Sequence, residues 1–187
     1  MRQSIPIISA YKFLNPQLTF MNLHDLNTLP REKLREELYR CCGSKAWVEK
    51  MLPFFPADDL VELLEDAEEQ WFLCTRDDWK EAFSQHPKIG DLESLKKKYT
   101  STAEWESGEQ SGVMGASPQT LEALARANKK YEDKFGYIFI VHATGKSANE
   151  MLGLLEARLL NDPEAEFETA ADEQNKITKL RLEKLLE

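Results

Sequence analysis

A single histidine stands where a helical pattern ends near the middle of this chain. The segment Phe83-Ser84-Gln85-His86-Pro87 closes an apolar stripe, and Pro87 stops the helix directly after the imidazole. Because histidine has an unperturbed pKa of about 6.5, it exchanges protons near neutral pH without strong tuning. We therefore predict that His86 is an acid–base residue. The alternative from the residues alone is a histidine that caps or packs the helix end.

A carboxylate and an amide lie next to each other farther along, in Gly108-Glu109-Gln110-Ser111-Gly112. Glu109 accepts hydrogen bonds, and the Gln110 amide both donates and accepts them. Together they suit a ligand that carries N–H and C=O groups. The alternative is a solvated helix end, since Glu and Gln are usually surface residues.

A third group follows the apolar run Tyr137-Ile138-Phe139-Ile140-Val141. A single such run cannot form a sheet, so we interpret it as a buried extended segment that crosses the helical bundle, here called the extended crossing. After it, Thr144-Gly145-Lys146-Ser147 leads into a helix. Unpaired N–H groups at a helix N-terminus and a nearby lysine favour an anion. A phosphate-binding loop is excluded, because its pattern requires glycine at the position of Ile140. We expect His142 to be a packing histidine.

Composition excludes several functional classes. The 187 residues include 33 acidic and 24 basic side chains, for a net charge of -9, so nucleic acid is not the expected partner. No run approaches the roughly 20 apolar residues that span a bilayer, so we predict no membrane association. Cys41, Cys42 and Cys74 match neither a zinc site nor a secreted disulfide framework, which indicates the reducing cytoplasm.

Metal and acyl-enzyme chemistry also lack their sequence patterns. The three histidines, His24, His86 and His142, are far apart, and no His-x-x-x-His or Glu-x-x-His motif is present. No serine lies in a Gly-x-Ser-x-Gly turn. We therefore predict no metal site and no serine nucleophile.

Helix signals dominate after Met21. The spacing predicts an all-α, single-domain bundle of seven or eight helices over residues 21–187, with residues 1–20 as a disordered extension. We predict one buried face on the helix from Leu60 to Cys74, and the residues of that face are Leu60, Leu64, Ala67, Trp71 and Phe72. A long helix from Ser117-Pro118 to Phe135-Gly136 presents Leu121, Leu124, Ala125, Asn128 and Tyr131 on related faces. The last helix begins at Asp162-Pro163 and ends near Leu186.

Taken in order, these motifs resemble those of the 2-oxo-4-hydroxy-4-carboxy-5-ureidoimidazoline (OHCU) decarboxylase family. The resemblance runs from about Leu23 to the C-terminus. Its motifs are Trp79 with Glu81-Ala82-Phe83, His86-Pro87-Lys88-Ile89-Gly90-Asp91, Glu109-Gln110, Asn128, Tyr131 and Phe135-Gly136-Tyr137-Ile138-Phe139. It implies an all-helical, dimeric carboxy-lyase that needs no cofactor and forms (S)-allantoin in urate breakdown. It also implies that His86 and Glu109 are catalytic, and that the substrate contacts are Pro87, Ser107, Gln110, Ile140, Val141 and His142.

This chain departs from the family pattern at two positions. Ile138 stands where family members often have proline, and Thr144 stands where they often have a substrate-binding arginine. We expect Lys146, or the backbone donors at the start of the next helix, to replace that arginine. Two other hypotheses stay open: an enzyme of the same fold that acts on a related ureido acid, and a non-catalytic helical module that binds another protein.

Overall fold

The computed structural model describes residues 21–86 and 118–186 as a bundle of α-helices, without a β-strand in those two ranges. The helices, in chain order, are α1 (Leu23–Asn27), α2 (Arg31–Cys42), α3 (Lys45–Met51), α4 (Leu60–Phe72), α5 (Arg76–Ser84), α6 (Pro118–Phe135), α7 (Ala148–Arg158) and α8 (Pro163–Leu185). A short 3₁₀ turn, Leu52–Phe54, follows α3. The predicted all-α architecture is confirmed.

The helix ends follow local sequence chemistry. Thr75 caps α5 in a reciprocal capping box with Asp78, and Ser147 caps α7 in the same way with Glu150. Gly43 ends α2 with a φ of 85°, a left-handed conformation that glycine adopts without strain. These helix ends thus depend on residues that lie within about one turn of each other in the chain.

The final helix α8 lies at the centre of the bundle and packs against α2, α4 and α5, while α7 packs against α6. Three tryptophans connect the first half of the chain to this core. Each indole N–H donates to a backbone carbonyl of another helix at 2.9 Å: Trp47 to Ala67, Trp71 to Ala171 and Trp79 to Trp71. Their large rings bury apolar surface, and the satisfied N–H groups remove the penalty for burying a polar atom.

The predicted buried face of α4 is correct at Ala67 and Trp71 and wrong at Leu60, Leu64 and Phe72. The buried residues are Leu63, Ala67, Gln70 and Trp71, whereas Leu60 and Leu64 are only half-buried and Phe72 is exposed. The helix also ends at Phe72, before Cys74. Ala67 and Trp71 belong to both sets and contact α3 and α8. From Ala67, three- and four-residue spacing reaches Leu63 and Gln70 as well as Leu64 and Trp71, so spacing alone does not decide which neighbours are buried. On α6, likewise, Ala127 is buried and Ala125 is exposed.

The predicted extended crossing joins α6 to α7. Gly136 ends α6 with a φ of 81°, and residues 137–141 then run without regular secondary structure. The Tyr137 ring lies 5.3 Å from that of Phe83 on α5 and 5.4 Å from that of Phe167 on α8. These aromatic contacts hold the crossing between the two helices. None of the helices in the described ranges has the length and apolar character of a membrane span.

Candidate active site

His86 lies two residues beyond the end of α5. The buried residues Ala82 and Phe83 anchor this end of the helix, and the His86 backbone N–H donates to the Phe83 carbonyl at 3.3 Å. The imidazole is half-buried, and its Nε2 lies 2.6 Å from Oε1 of Gln174 on α8. The structure therefore holds His86 from a second helix that is 88 residues distant in sequence.

Gln174 was missed by the sequence reasoning. Its side chain is completely buried, and its Nε2 faces the Cys42 carbonyl at 3.3 Å and the Thr178 hydroxyl at 3.2 Å. The available signal was a polar residue in the apolar register of α8, between the buried residues Ala171 and Ile177. Buried amides are uncommon unless all their hydrogen bonds are made, so such a position marks a specific contact.

The second part of the site is the extended segment 137–146. The Ile140 side chain is buried, and its carbonyl accepts from Nη1 of Arg158 at 2.7 Å. The Arg158 guanidinium is also paired with Glu166, whose carboxylate is completely buried. Asn161 and Tyr131 donate to the same carboxylate. One buried charge network therefore fixes the backbone at Ile140.

The backbone of His142 is attached to α8 directly. Its N–H donates to Oε2 of Glu173 at 2.7 Å. Burial by itself raises the pKa of the Glu173 carboxyl, but the hydrogen bonds from Lys176 and from the His142 N–H outweigh burial and hold that pKa below its ordinary value. Glu173 and Gln174 are adjacent on α8, so consecutive residues of one helix bind the two parts of the candidate site.

Lys146 lies on the rim of a cavity between the extended segment, α7 and α8. Its ammonium donates to the His142 carbonyl at 2.7 Å. The cavity has a volume of about 390 Å³, and its lining residues are Val141, His142, Lys146, Leu154, Arg158, Thr169, Glu173 and Lys176. Among its cationic side chains, Arg158 is paired with Glu166 and Lys176 with Glu173, so the attraction of this cavity for an anion depends chiefly on the Lys146 ammonium. By contrast, Thr144 is exposed.

A second cavity, of about 470 Å³, opens on the other side of His142. Its lining residues are Glu68, Phe72, His142, Asp172, Asn175, Lys176, Lys179, Leu180 and Glu183. Three acidic side chains and two lysines line it, and Lys179 pairs with Glu68 at 2.6 Å. The balance of charge there gives no preference for one sign of ligand.

Two polar residues of α6 point into the core. Tyr131 is completely buried, and its hydroxyl donates to Glu166. The Tyr131 pKa is raised far above its usual range, mainly by burial and secondly by this hydrogen bond. The Asn128 amide donates to the Leu124 carbonyl at 3.1 Å. Tyr131 is therefore a core residue, and its hydroxyl is not exposed to solvent.

Four predicted site residues, Pro87, Ser107, Glu109 and Gln110, lie outside the residues that the structure describes. Within the described ranges, no cluster of three or more His, Cys, Asp or Glu side chains has the arrangement of a metal site. His86 and the His142 backbone thus hydrogen-bond to adjacent residues of α8, Gln174 and Glu173. Ile140 is connected to α8 through Arg158 and Glu166, and Val141, His142 and Lys146 line a cavity that α8 also lines.

Comparison with known proteins identifies the family. The family model for OHCU decarboxylase matches residues 27–183. The chain is 38% identical over 146 residues to the uric acid degradation bifunctional protein TTL of Arabidopsis thaliana. This match covers 78% of the present chain and 45% of the Arabidopsis protein. It is 27% identical over 176 residues to the 2-oxo-4-hydroxy-4-carboxy-5-ureidoimidazoline decarboxylase of Halalkalicoccus jeotgali, with coverage of 90% and 93%. The chain therefore spans less than half of the Arabidopsis protein and nearly all of the archaeal one.

The fold agrees with solved structures. A crystal structure of OHCU decarboxylase in the presence of (S)-allantoin matches with a TM-score of 0.68 and 36% identity, over 81% of this chain and 97% of that chain. A crystal structure of (S)-allantoin synthase matches with a TM-score of 0.67 at 19% identity, which is evidence for the fold alone. With a family model that covers most of its length and relatives that share its sequence and fold, this chain belongs to the OHCU decarboxylase family.

Proposed function

We propose that this chain decarboxylates OHCU to (S)-allantoin without a cofactor, with His86 as the acid–base group. Family membership makes it a carboxy-lyase of urate degradation. The observation that supports the assignment of His86 is its half-buried imidazole, held 2.6 Å from a buried amide at the end of a helix. Such a restrained imidazole suits proton transfer at one defined point.

The reaction sets three requirements for the site. The C–C bond to the carboxylate breaks, carbon dioxide leaves, and the bonding electrons pass into the ring as an enolate-like anion. A proton must then reach the carbon from one face to give a single enantiomer. The protein therefore has to orient the carboxylate out of the ring plane, stabilise the developing anion and deliver the proton. The substrate ring itself accepts the electrons, so this scheme needs no electron sink from a cofactor.

His86 serves the third requirement in this proposal, and Pro87 fixes how its ring is presented. Glu109 and Gln110 bind the ureido and ring amides, because carboxylate and carboxamide groups match N–H and C=O groups directly. Ser107 adds a hydroxyl to the same set of contacts. These assignments follow the family motifs. In this proposal, Glu109 and His86 are the two catalytic residues.

The extended segment serves the first two requirements. We propose that backbone donors of Ile140, Val141 and His142 bind oxygens of the substrate ring. The bond from the His142 N–H to the Glu173 carboxylate fixes the backbone of this segment against α8, and that N–H reaches a substrate oxygen only by exchanging Glu173 for it. Lys146 supplies the positive charge that an arginine supplies elsewhere in the family. Its place in the lining of the cavity beside His142 supports this replacement of the arginine.

Thr144 favours a second candidate, a related ureido acid as substrate. Threonine is uncharged and shorter than the arginine common at this position, so a pocket built around it has a different shape and charge. The same site would then act on a ureido acid whose carboxylate reaches Lys146. The two candidates share the chemistry and differ only in substrate.

We also propose a cytoplasmic homodimer. Cys41, Cys42 and Cys74 are all buried free thiols, as expected in a reducing compartment. Val61, Leu73 and Leu160 are exposed apolar residues that a subunit contact could cover. Light scattering coupled to gel filtration gives the test: a mass of twice 21.6 kDa supports the dimer, and a mass of 21.6 kDa contradicts it.

The activity is tested with freshly generated OHCU, followed by circular dichroism. Enzymatic turnover gives a growing signal from one enantiomer, whereas uncatalysed decay gives a racemate with no signal. A chiral signal that is lost in His86→Gln supports the proposal. Faster OHCU consumption without a chiral product contradicts it, and turnover of another ureido acid in preference to OHCU selects the second candidate.

A further inference from the structure

The hydrogen bonds of Gln174 determine which nitrogen of His86 carries a proton. The Gln174 amide nitrogen faces the Cys42 carbonyl at 3.3 Å and the Thr178 hydroxyl at 3.2 Å. A carbonyl oxygen can only accept, so the group that points at Cys42 must be the NH₂ of the amide. A flipped amide would place two carbonyl oxygens against each other in a fully buried position, which is unfavourable.

With the amide oriented in this way, its oxygen Oε1 is the atom that faces His86. The distance from Oε1 to Nε2 of His86 is 2.6 Å, which is too short for two lone pairs to face each other. Because Oε1 can only accept, Nε2 must carry a hydrogen and donate it. In the neutral imidazole, the proton-accepting lone pair then belongs to Nδ1.

We propose that Gln174 is a positioning residue that holds His86 as its Nε2–H tautomer, so that Nδ1 is the atom that exchanges a proton with the substrate. This inference rests on the proposed function only for the role of His86 in proton transfer. The tautomer itself follows from hydrogen bonds within the protein and is measurable without substrate.

A purely structural role does not account for a glutamine at this position. A leucine or methionine fills a similar volume in a core without burying a polar amide, whose desolvation is unfavourable unless every hydrogen bond is made. The Gln174 side chain makes three hydrogen bonds, which satisfy the buried amide, and one of them goes to the candidate acid–base residue. Orientation of that residue is the property that an apolar side chain would not provide.

The tautomer is tested directly by long-range ¹H–¹⁵N NMR of the full chain with labelled histidine. The spectra are recorded at a pH at which the His86 imidazole is neutral. His86→Gln identifies the signal by its absence. We expect a protonated Nε2 and an imine-type Nδ1, with the Nε2 proton protected from exchange with water. A protonated Nδ1 in the native protein overturns the proposal, whatever the activity assays give.

The positioning role is tested with Gln174→Met, which keeps length and volume but removes the acceptor. We expect an unchanged helical circular dichroism spectrum, loss of exchange protection at His86 Nε2, and a fall in kcat of about tenfold or more with little change in KM. Gln70→Met makes the same change at another buried glutamine, on α4, and should alter neither the His86 signal nor kcat.

A milder variant covers the case in which Gln174→Met does not fold. Thr178→Val preserves the branched shape but removes one of the two bonds that orient the Gln174 amide, so we expect smaller changes in the same direction. Unchanged exchange and kcat in both foldable variants would contradict a positioning role. If the native tautomer is as expected but OHCU is not turned over, the proposed function fails while the tautomer assignment stands.

Discussion

Nη1 of Arg158 lies 2.7 Å from the carbonyl oxygen of Ile140, and this bond attaches the extended segment to the end of α7. The same guanidinium faces Oε1 of Glu166 through Nε at 2.8 Å and Nη2 at 2.6 Å. Glu166 is completely buried on α8 and Arg158 is largely buried, so the backbone at a proposed substrate contact depends on a charge pair in the protein interior. The stability of the fold and the geometry of the site are thus connected through one arginine.

Glu166→Gln tests that connection. Removing one partner of a buried ion pair leaves the other charge uncompensated, so we expect the free energy of unfolding to fall by about 3 kcal/mol. Glu164→Gln is the control, because Glu164 pairs with Arg76 at an exposed position on the same helix. Its expected effect is below about 0.5 kcal/mol. Urea denaturation measures both, and similar losses in the two variants would contradict the importance of the buried pair.

His86→Gln should reduce turnover by roughly a hundredfold or more, because a general acid–base group contributes at least that much. Glu109→Gln should have a comparable effect. His142→Gln is the matched control: the backbone N–H of His142, which binds Glu173, is kept when the side chain changes. Steady-state kinetics with OHCU decides the matter. Equal losses at His86 and His142 would assign both residues structural roles.

Lys146→Ala should raise KM more than Thr144→Ala does. Lys146 lines the cavity beside His142, whereas Thr144 is exposed in the turn before Lys146. Lys146→Arg keeps the charge and should retain most of the affinity. Thr144→Arg should be tolerated or should lower KM, because a planar guanidinium matches a carboxylate well. An unchanged KM in Lys146→Ala together with a large rise in Thr144→Ala would instead identify the hydroxyl as the ligand.

Stability should depend on acid pH through Glu173. Its pKa in the folded protein lies below its ordinary value of 4.5, so the ionised form stabilises the fold above that pH. This contribution is lost as the pH falls from 4.5 through the lower folded-state pKa. Glu173→Gln should therefore reduce stability by about 1 kcal/mol at pH 7, and the difference from the native chain should shrink below about pH 4.

Urea denaturation at a series of pH values measures the effect. Glu168→Gln removes an exposed carboxylate from the same helix and should change stability by less than about 0.5 kcal/mol. A difference for Glu173→Gln that grows toward acid pH would mean that the carboxylate destabilises the folded state.

Activity should survive treatment with a chelator followed by removal of small molecules. The reaction supplies its own electron sink, and the sequence has no pattern of metal ligands around His86. The measurement is the initial rate of OHCU decarboxylation before and after treatment. Loss of activity that zinc or manganese restores would require a metal-dependent mechanism.

Helix positions, caps and the family motifs were predictable because each depends on residues close together in the chain. Thr75 with Asp78, and Ser147 with Glu150, form their capping boxes within one helical turn. The position of His86 at a helix end follows from the stripe that precedes it, and the sequence motifs indicated the family that the comparisons confirm. In each case the interacting atoms are a few residues apart, so local physics suffices.

The partners of the site residues were decided only by tertiary packing. Gln174 contacts His86 across 88 residues, and Glu173 contacts His142 across 31, so no local pattern links them. The buried neighbours of Ala67 and Trp71 on α4 were likewise ambiguous, because three- and four-residue spacing allows Leu63 and Gln70 as well as Leu60 and Leu64. The packing of other helices around α8 determines which buried polar atoms form hydrogen bonds with each other. The same packing sets the orientation of His86.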